Sequence, residues 1–178
     1  MRLPRGFKAY AERCVAGLRS ELQLADDEPI DMHELCSHLR IPFYPLSRCL
    51  IHSGVTRSDP YVIEIYNKTS AVTTFDGPHR TIIYNEEHPT VRHRSNMAHE
   101  LAHALLQHPP LGSGCEVETE KGNEAEAAWM SGVLMLTSNQ ARSIAARRLK
   151  WSIAQDAYQL SAEMLRFRMN VTGAAKLA

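Results

Sequence analysis

The residues best suited to chemistry lie in one short stretch, RSNMAHELAHALLQHPP, at positions 94–110. His99 and His103 are four positions apart, and Glu100 follows the first of them. On an α-helix, positions i and i+4 share one face a turn apart, so both imidazoles can reach one metal ion. Glu100 would lie beside them, close enough to act as a base on a water molecule without binding the ion. The spacing HExxH therefore predicts a metal-dependent hydrolytic centre with His99 and His103 as ligands and Glu100 as its catalytic residue.

The same stretch has the pattern of a partly buried helix. We expect this helix to run from about Ser95, as N-cap, to Gln107, and to end at His108-Pro109-Pro110. A surface helix with two solvated histidines is the alternative to a metal centre. That alternative is disfavoured because burying unpaired imidazoles costs free energy, and the flanking apolar residues predict burial. These residues are Met97, Ala98, Leu101, Ala102, Leu105 and Leu106.

A third metal ligand has to come from elsewhere in the chain, because catalytic zinc usually has three protein ligands and one position for water. The HExxHxxGxxH pattern is excluded, since Leu106 and Pro109 occupy the places of its glycine and third histidine. A carboxylate from a following segment is the remaining choice. The candidates are Glu116, Glu118, Glu120, Glu124 and Glu126.

Helix geometry separates the last two glutamates, since residues two apart on a helix point roughly 200° from each other. If Asn123 is an N-cap, Glu126 stands at the third helical position and completes a capping box. Glu124 instead shares a face with small residues that permit close helix packing, namely Ala127, Ala128 and Ser131. We favour Glu124 as the third ligand, with Glu126 as the alternative.

The elements around this centre predict an α+β fold. Helical apolar spacing occurs at 7–24 and 32–39, and again after the centre at 124–136, 138–150 and 162–170, with a glycine-containing loop at 111–123. Between these groups, β-branched and aromatic residues predict strands within 47–85, including YVIEIYN at 61–67. The segments AVTTF and RTIIYN flank Asp76-Gly77-Pro78-His79 and predict an antiparallel hairpin.

Composition limits the remaining possibilities. With 178 residues and 44% hydrophobic content, we expect a single domain over 1–178 with a helical C-terminal segment at about 138–178. Lys+Arg and Asp+Glu both total 20, so no overall field attracts nucleic acid or an anionic membrane. Without an apolar run of secretory or membrane-spanning length, a cytoplasmic location is expected. The cysteines form no CxxC pair, which argues against a cysteine zinc site and a disulfide scaffold; they are Cys14, Cys36, Cys49 and Cys115.

Three segments resemble the ImmA/IrrE family of metallopeptidases. Arg94 and the run from Ala98 to His108 are similar to that family's R-x-x-x-A-H-E-L-x-H-x-L-L-x-H helix, and the hairpin ending at Asn85 is similar to its hairpin. The family's E-x-E-A-N-x-F-A-x-x-L-L-x-P helix begins with the third ligand, which corresponds to Glu124 here. The chain departs from that pattern at Ala128, Met130 and Thr137.

The resemblance implies a minimal zincin, with helices packed around a small, mainly antiparallel sheet. It implies a zinc-dependent endopeptidase, with manganese as the alternative metal, whose protein substrate is a helix-turn-helix repressor in a mobile-element or stress-response system. From the residues themselves, a strand at about 80–85 is expected to bind an extended substrate along its edge. Tyr84, His93 and His108 are candidates for stabilising the oxyanion.

The segment SIAQDAYQLSAEMLRFRMN, residues 152–170, supports a competing hypothesis. A second helix could begin at Ser161 and carry Arg166 and Arg168, faintly like a helix-turn-helix. The chain would then be a DNA-binding or metal-sensing regulator, and a toxin-like component of a two-gene module without proteolysis is a third possibility. Direct nucleic-acid binding is disfavoured because the turn lacks the usual glycine and the net charge is zero.

Overall fold

A computed structural model describes residues 3–54, 56, 58–110 and 117–177, and within them the chain forms nine α-helices and a three-stranded sheet. The predicted α+β class is confirmed. The strands are β1 (Phe43–Pro45), β2 (Ala71–Asp76) and β3 (His79–Tyr84). The helices are α1 (Phe7–Glu21), α2 (Met32–His38), α3 (Leu46–Ser53), α4 (Pro60–Lys68), α5 (Thr90–Leu105), α6 (Val117–Met135), α7 (Ser138–Ala146), α8 (Trp151–Tyr158) and α9 (Ala162–Val171).

The sheet has the order β1-β3-β2, so β3 is its central strand. The predicted hairpin is confirmed: β2 and β3 pair antiparallel from Ala71 opposite Tyr84 to Asp76 opposite His79. Gly77 supplies the positive φ of 56° that the tight turn requires. The short strand β1 pairs with β3 in parallel, which makes the sheet mixed.

The strand predicted for YVIEIYN is wrong, because this segment is helix α4. Asp59 caps the helix by accepting from the backbone N–H of Tyr61 at 2.8 Å, and Pro60 occupies the first turn, where its missing N–H costs nothing. Val62 and Tyr66, four residues apart, are buried on one face. Capping and i,i+4 burial thus outweigh the strand propensity of the β-branched residues.

Helix α5 begins at Thr90, five residues before the predicted Ser95, so Ser95 lies in its interior. Pro89, in an extended conformation, precedes the first turn. Arg94 is buried in this added part of the helix and donates to the carbonyl of Ile30 at 2.6 Å. That bond ties the helix to the segment leading into α2.

Helix α6 also begins earlier than predicted, at Val117, and Asn123 is therefore not an N-cap. The predicted capping box between Asn123 and Glu126 is wrong. Gly122 lies inside the helix, where glycine costs about 1 kcal/mol relative to alanine, and does not end it.

One apolar core includes side chains from Phe7 in α1 to Ala174 near the C-terminal end. Helices α5 and α6 contribute Met97, Leu101 and Met130 to it, each 0% exposed, so the two helices that carry the predicted site are anchored in this core. Cys14, Cys36 and Cys49 are free thiols, and Cys115 lies outside the described residues. Each helix among the described residues is too short or too polar to span a lipid bilayer.

Helix α9 contributes Leu165 and Met169 to this core and also buries an arginine. Arg168 is 0% exposed, and its Nη2 donates to Glu12 Oε1 at 2.7 Å. Its Nε donates to the carbonyl of Leu136, also at 2.7 Å. The carboxylate of Glu12 additionally accepts from the backbone and side chain of Ser138, so this buried cluster joins α1, α7 and α9.

Candidate metal centre

His99 and His103 extend from one face of α5 toward the same point. Their Nε2 atoms are 3.1 Å apart, and the ring centroids are 4.8 Å apart. The opposite face of the helix, which includes Ala98 and Leu101, is fully buried and fixes the direction in which the imidazoles point. Both histidines remain partly accessible, as ligands of a catalytic metal must be.

Glu124 of α6 completes the group. Its Oε2 lies 3.2 Å from His99 Nε2, and its Oε1 lies 3.3 Å from His103 Nε2. Ala127, one turn further along α6, is 0% exposed and belongs to the same apolar core as the buried face of α5. Of the two carboxylates left open by the sequence, Glu124 is therefore the one beside the histidines.

The three side chains fit a metal ion of the zinc type. One ligand atom from each of His99, His103 and Glu124 can be chosen so that all lie within 4.8 Å of one another. The two Nε2 atoms, 3.1 Å apart, are close to the roughly 3.3 Å edge of a tetrahedron whose ligands are about 2.0 Å from zinc, and each oxygen of Glu124 approaches one of the imidazoles. Two imidazoles and one carboxylate also form a donor set that suits zinc.

The protonation state of His103 favours metal binding. Burial, followed by the nearby His99, lowers the pKa of His103 to about 4, although Glu124 opposes the shift. The imidazole is therefore neutral near pH 7, and the neutral form is the one that binds a metal.

Glu100 points from α5 toward strand β2 and lines the same cleft as the two histidines. The hydroxyl of Thr73 on β2 donates to Glu100 Oε2 at 2.5 Å. Because this bond occupies one carboxylate oxygen, it limits the rotation of the side chain. Among the described residues, the group that could hold a metal does not include Glu100, and its role as a base stays a prediction.

The cleft has a volume of about 470 Å³ and lies between β2, α5 and α6. Its floor is formed by His99, Glu100, His103 and Glu124. One wall consists of residues from β2 and β3, namely Ala71, Val72, Thr73, Phe75 and Arg80. Within the described residues, β2 is an edge strand, and it contributes all of these wall residues except Arg80.

Arg80 joins the sheet to the end of α5. Its Nη2 donates to the carbonyl of His108 at 2.9 Å, and its guanidinium lies 4.8 Å from the ring centroid of Phe75. Burial lowers the pKa of Arg80 from its ordinary value, but an arginine stays charged. The cleft therefore contains a positive charge close to the predicted ligands.

His108 reaches the back of His103 because α5 ends in a Schellman motif. The N–H of His108 donates to the carbonyl of His103 at 3.0 Å, and that of Gln107 donates to Ala104 at 3.1 Å. Gln107 has the left-handed φ of 56° that this motif requires. The reversal brings His108 Nδ1 to 3.0 Å from His103 Nδ1.

The remaining predicted glutamates have different positions. Glu126 lies 3.5 Å from His108 Nε2 and is not part of the candidate metal group. Glu120 lines the cleft. Glu116, and the side chain of Glu118, lie outside the described residues.

Two of the three predicted oxyanion donors are not in the cleft. Tyr84 and His93 contact each other, with ring centroids 4.3 Å apart, in an aromatic cluster with Phe43 and His33. Neither lines the cleft, whereas His108 does. The predicted substrate-binding edge at 80–85 is also wrong, because β3 pairs on both sides; among the described residues the edge strands are β1 and β2, and β2 is the one that lines the cleft.

Thr73 and Arg80 were not identified as site residues from the sequence. Alternation along AVTTF places Thr73 and Phe75 on one face of β2, which could have indicated that they point the same way. Nothing in that alternation indicates which face meets α5, because this depends on how the helix packs on the sheet.

A comparison with known proteins identifies a family whose model covers the elements that carry this site. The family model of the IrrE N-terminal-like domain, Peptidase_M78, matches residues 58–170, which contain both strands of the hairpin, α5 and α6. The chain belongs to this family of ImmA/IrrE metallopeptidases. No curated protein and no solved structure showed a significant match.

Proposed function

We propose that this member of the ImmA/IrrE family is a metal-dependent endopeptidase, with His99, His103 and Glu124 as metal ligands and Glu100 as general base. The observation that carries the proposal is the convergence of two imidazole nitrogens and one carboxylate at 3.1 to 3.3 Å, beside a separately held glutamate in an open cleft. Zinc is the preferred ion, with manganese as the alternative.

When bound, the ion would polarise the scissile carbonyl and lower the pKa of a water molecule toward neutrality. Glu100 would take the proton from the attacking water and pass it to the leaving amine. Thr73, by holding Oε2 of Glu100, would keep the other carboxylate oxygen directed into the cleft. Arg80 also lines the cleft, and its guanidinium has several N–H groups with which it would donate hydrogen bonds to a bound peptide.

The substrate would bind as an extended peptide along β2. The outer edge of this strand has no strand neighbour among the described residues, and its inner face forms the wall of the cleft. Strand addition there would run the peptide backbone past Glu100, since Thr73 of the same strand contacts that carboxylate.

The proposed physiological substrate is a helix-turn-helix repressor, cleaved in the cytoplasm during a mobile-element or stress response. Support for this comes from the family resemblance of the site helix and of the helix that begins at Glu124. The first repressors to test are small helix-turn-helix proteins whose genes lie next to the gene for this chain.

The competing DNA-binding function finds little support in the C-terminal helices. Of its two arginines, Arg168 is 0% exposed and paired with Glu12, so it cannot contact phosphate. Arg166 alone remains exposed on α9.

The proposal is tested by incubating the purified chain with Zn²⁺ or Mn²⁺ and such a repressor, and identifying fragments by mass spectrometry. Glu100→Gln should bind the metal as wild type does while its cleavage rate falls at least about 100-fold, because the general base is lost. Cleavage by Glu100→Gln at the wild-type rate, or cleavage unaffected by His99→Ala, would show that the hydrolytic site lies elsewhere.

A further inference from the structure

The side chains of His103, His108 and Glu126 form a series of neighbours that leads away from the proposed metal position. His103 Nδ1 lies 3.0 Å from His108 Nδ1, and His108 Nε2 lies 3.5 Å from Glu126 Oε2. The series runs from α5, through the residue that follows its C-terminal turn, to α6. It lies on the opposite side of the His103 ring from Nε2, the atom that faces His99 and Glu124.

The positions of the protons on these rings follow from the geometry. A neutral His103 that binds a metal through Nε2 carries its proton on Nδ1. That N–H faces His108 Nδ1, which must therefore accept it. The proton of a neutral His108 is then on Nε2, the atom on the side of Glu126.

The Nε2 of His108 needs an acceptor. His108 is 6% exposed, and this nitrogen has no aligned hydrogen-bond partner among the described residues. Leaving such a donor unpaired in the interior costs roughly 1 to 3 kcal/mol. The carboxylate of Glu126, 3.5 Å away and 23% exposed, is an acceptor on the same side of the ring, and a small rotation would align it.

We propose that His108 and Glu126 are positioning residues that orient His103 as a metal ligand through the series Glu126–His108–His103. Metal-binding histidines commonly donate their second N–H to a fixed acceptor, which sets both the tautomer and the ring direction. Here the acceptor is a second histidine held in turn by a carboxylate. This inference rests on the proposed metal site, and it assigns Glu126 a role two residues from the proposed ligand Glu124.

The test measures the Zn²⁺ affinity of the purified full-length chain by competition with a chromogenic chelator. Glu126→Ala should weaken binding about 10- to 100-fold, the usual effect of removing a partner of a metal-binding histidine. Glu126→Gln should retain most of the affinity, because its amide oxygen still accepts from His108 Nε2. Equal losses for both variants would mean that the negative charge, and not the hydrogen bond, matters, and would overturn the proposal.

A second substitution tests the middle of the series. His108→Asn places an amide oxygen near the position of Nδ1, so it keeps an acceptor for His103 but loses the connection to Glu126. In this background Glu126→Ala should cause little further loss of affinity, since the two residues act in one series. Independent, additive losses, or wild-type affinity in both single variants, would overturn the proposal.

Two controls separate this inference from the proposed function. Glu124→Ala should abolish tight binding if the metal site is right, whatever Glu126 does; an unchanged affinity there means that the site itself is wrong. Glu64→Ala, which removes an exposed glutamate of α4, should leave the affinity unchanged. Thermal unfolding of the metal-free variants shows whether each of them folds. If Glu126→Ala does not fold, Glu126→Met replaces it, because methionine has a similar size but no oxygen that accepts from His108; wild-type affinity in that variant would overturn the proposal.

Discussion

The hydroxyl of Thr73 donates to Glu100 Oε2 at 2.5 Å, joining the edge strand of the sheet to the glutamate between the two histidines. Thr73 is the only residue of β2 that contacts Glu100 by a hydrogen bond in the described part of the chain. A substrate added to β2 would therefore bind to the same strand that orients the proposed general base.

Replacing Thr73 by valine should lower kcat about 10- to 100-fold, because a hydrogen bond to a charged group contributes about 1.5 to 3 kcal/mol. Zn²⁺ affinity should not change, since Thr73 contacts none of the proposed ligands. Steady-state cleavage kinetics and chelator competition measure the two quantities. Thr74→Val, one residue away on the exposed face, is the matched control; a loss of kcat equal to that of Thr73→Val would indicate general damage to β2.

Metal binding should stabilise the fold. An ion that binds only the folded chain lowers the free energy of the folded state and therefore raises the free energy of unfolding. At 100 times the dissociation constant, Zn²⁺ should raise the free energy of unfolding by about 2.7 kcal/mol. Scanning calorimetry with Zn²⁺ and with a chelator measures the shift in Tm. His103→Ala should remove this shift, and an unchanged shift in that variant would contradict the ligand assignment.

Glu86 should make stability depend on pH. Burial raises the pKa of this carboxyl, but hydrogen bonds from the N-terminus of α3 and from Tyr66 outweigh it and leave the pKa below its ordinary value. A lowered pKa stabilises the folded chain above the pKa of the unfolded state, and this stabilisation is lost as pH falls through the folded pKa.

Between about pH 6 and pH 3, wild-type stability should therefore fall more steeply than that of Glu86→Gln. The difference should be about 1 kcal/mol or less, since Glu86 is largely exposed and screened by water. Urea unfolding across this range measures it. Glu64→Gln, which removes an exposed pair with Lys68, should follow wild type; parallel curves for wild type and Glu86→Gln would refute the role of Glu86.

Arg168→Met should lower the free energy of unfolding by about 3 kcal/mol, because it leaves the carboxylate of Glu12 without its buried partner. The double variant Glu12→Gln/Arg168→Met should recover part of this loss, since no unpaired charge remains. Urea unfolding of the two variants measures the effect. If Arg168→Met is as stable as wild type, the pair is not structural, and the DNA-binding hypothesis for α9 would need to be reconsidered.

The spacing of His99 and His103 was enough to predict that their side chains converge, because helix periodicity is a local property. The approach of Glu124 was predicted only in part, because Ala127 on the small-residue face that favoured it is buried, but Ala128 on that face is exposed and the capping box assigned to Glu126 is wrong. The proposed roles of these residues in metal binding and hydrolysis stay predictions until affinity and cleavage are measured.

What was not predicted depends on contacts between distant segments. YVIEIYN has strand propensity, yet Pro60 and the cap at Asp59 start a helix whose face is buried by tertiary packing. The central position of β3 results from pairing with β1, a three-residue strand too short to recognise in RIPFYPL. Thr73 approaches Glu100 only because α5 packs across β2.

The left-handed conformation of Gln107 restricts changes in chain length as well as in residue type. One residue inserted or deleted between His103 and His108 would rotate the imidazole of His108 away from the back of His103, even if every side chain of the site were retained. Gln107→Gly should be tolerated because glycine adopts this conformation without strain, whereas a β-branched residue there should not be. The loop that ends α5 therefore acts as a spacer of fixed length, and engineered insertions that preserve the site belong elsewhere in the chain.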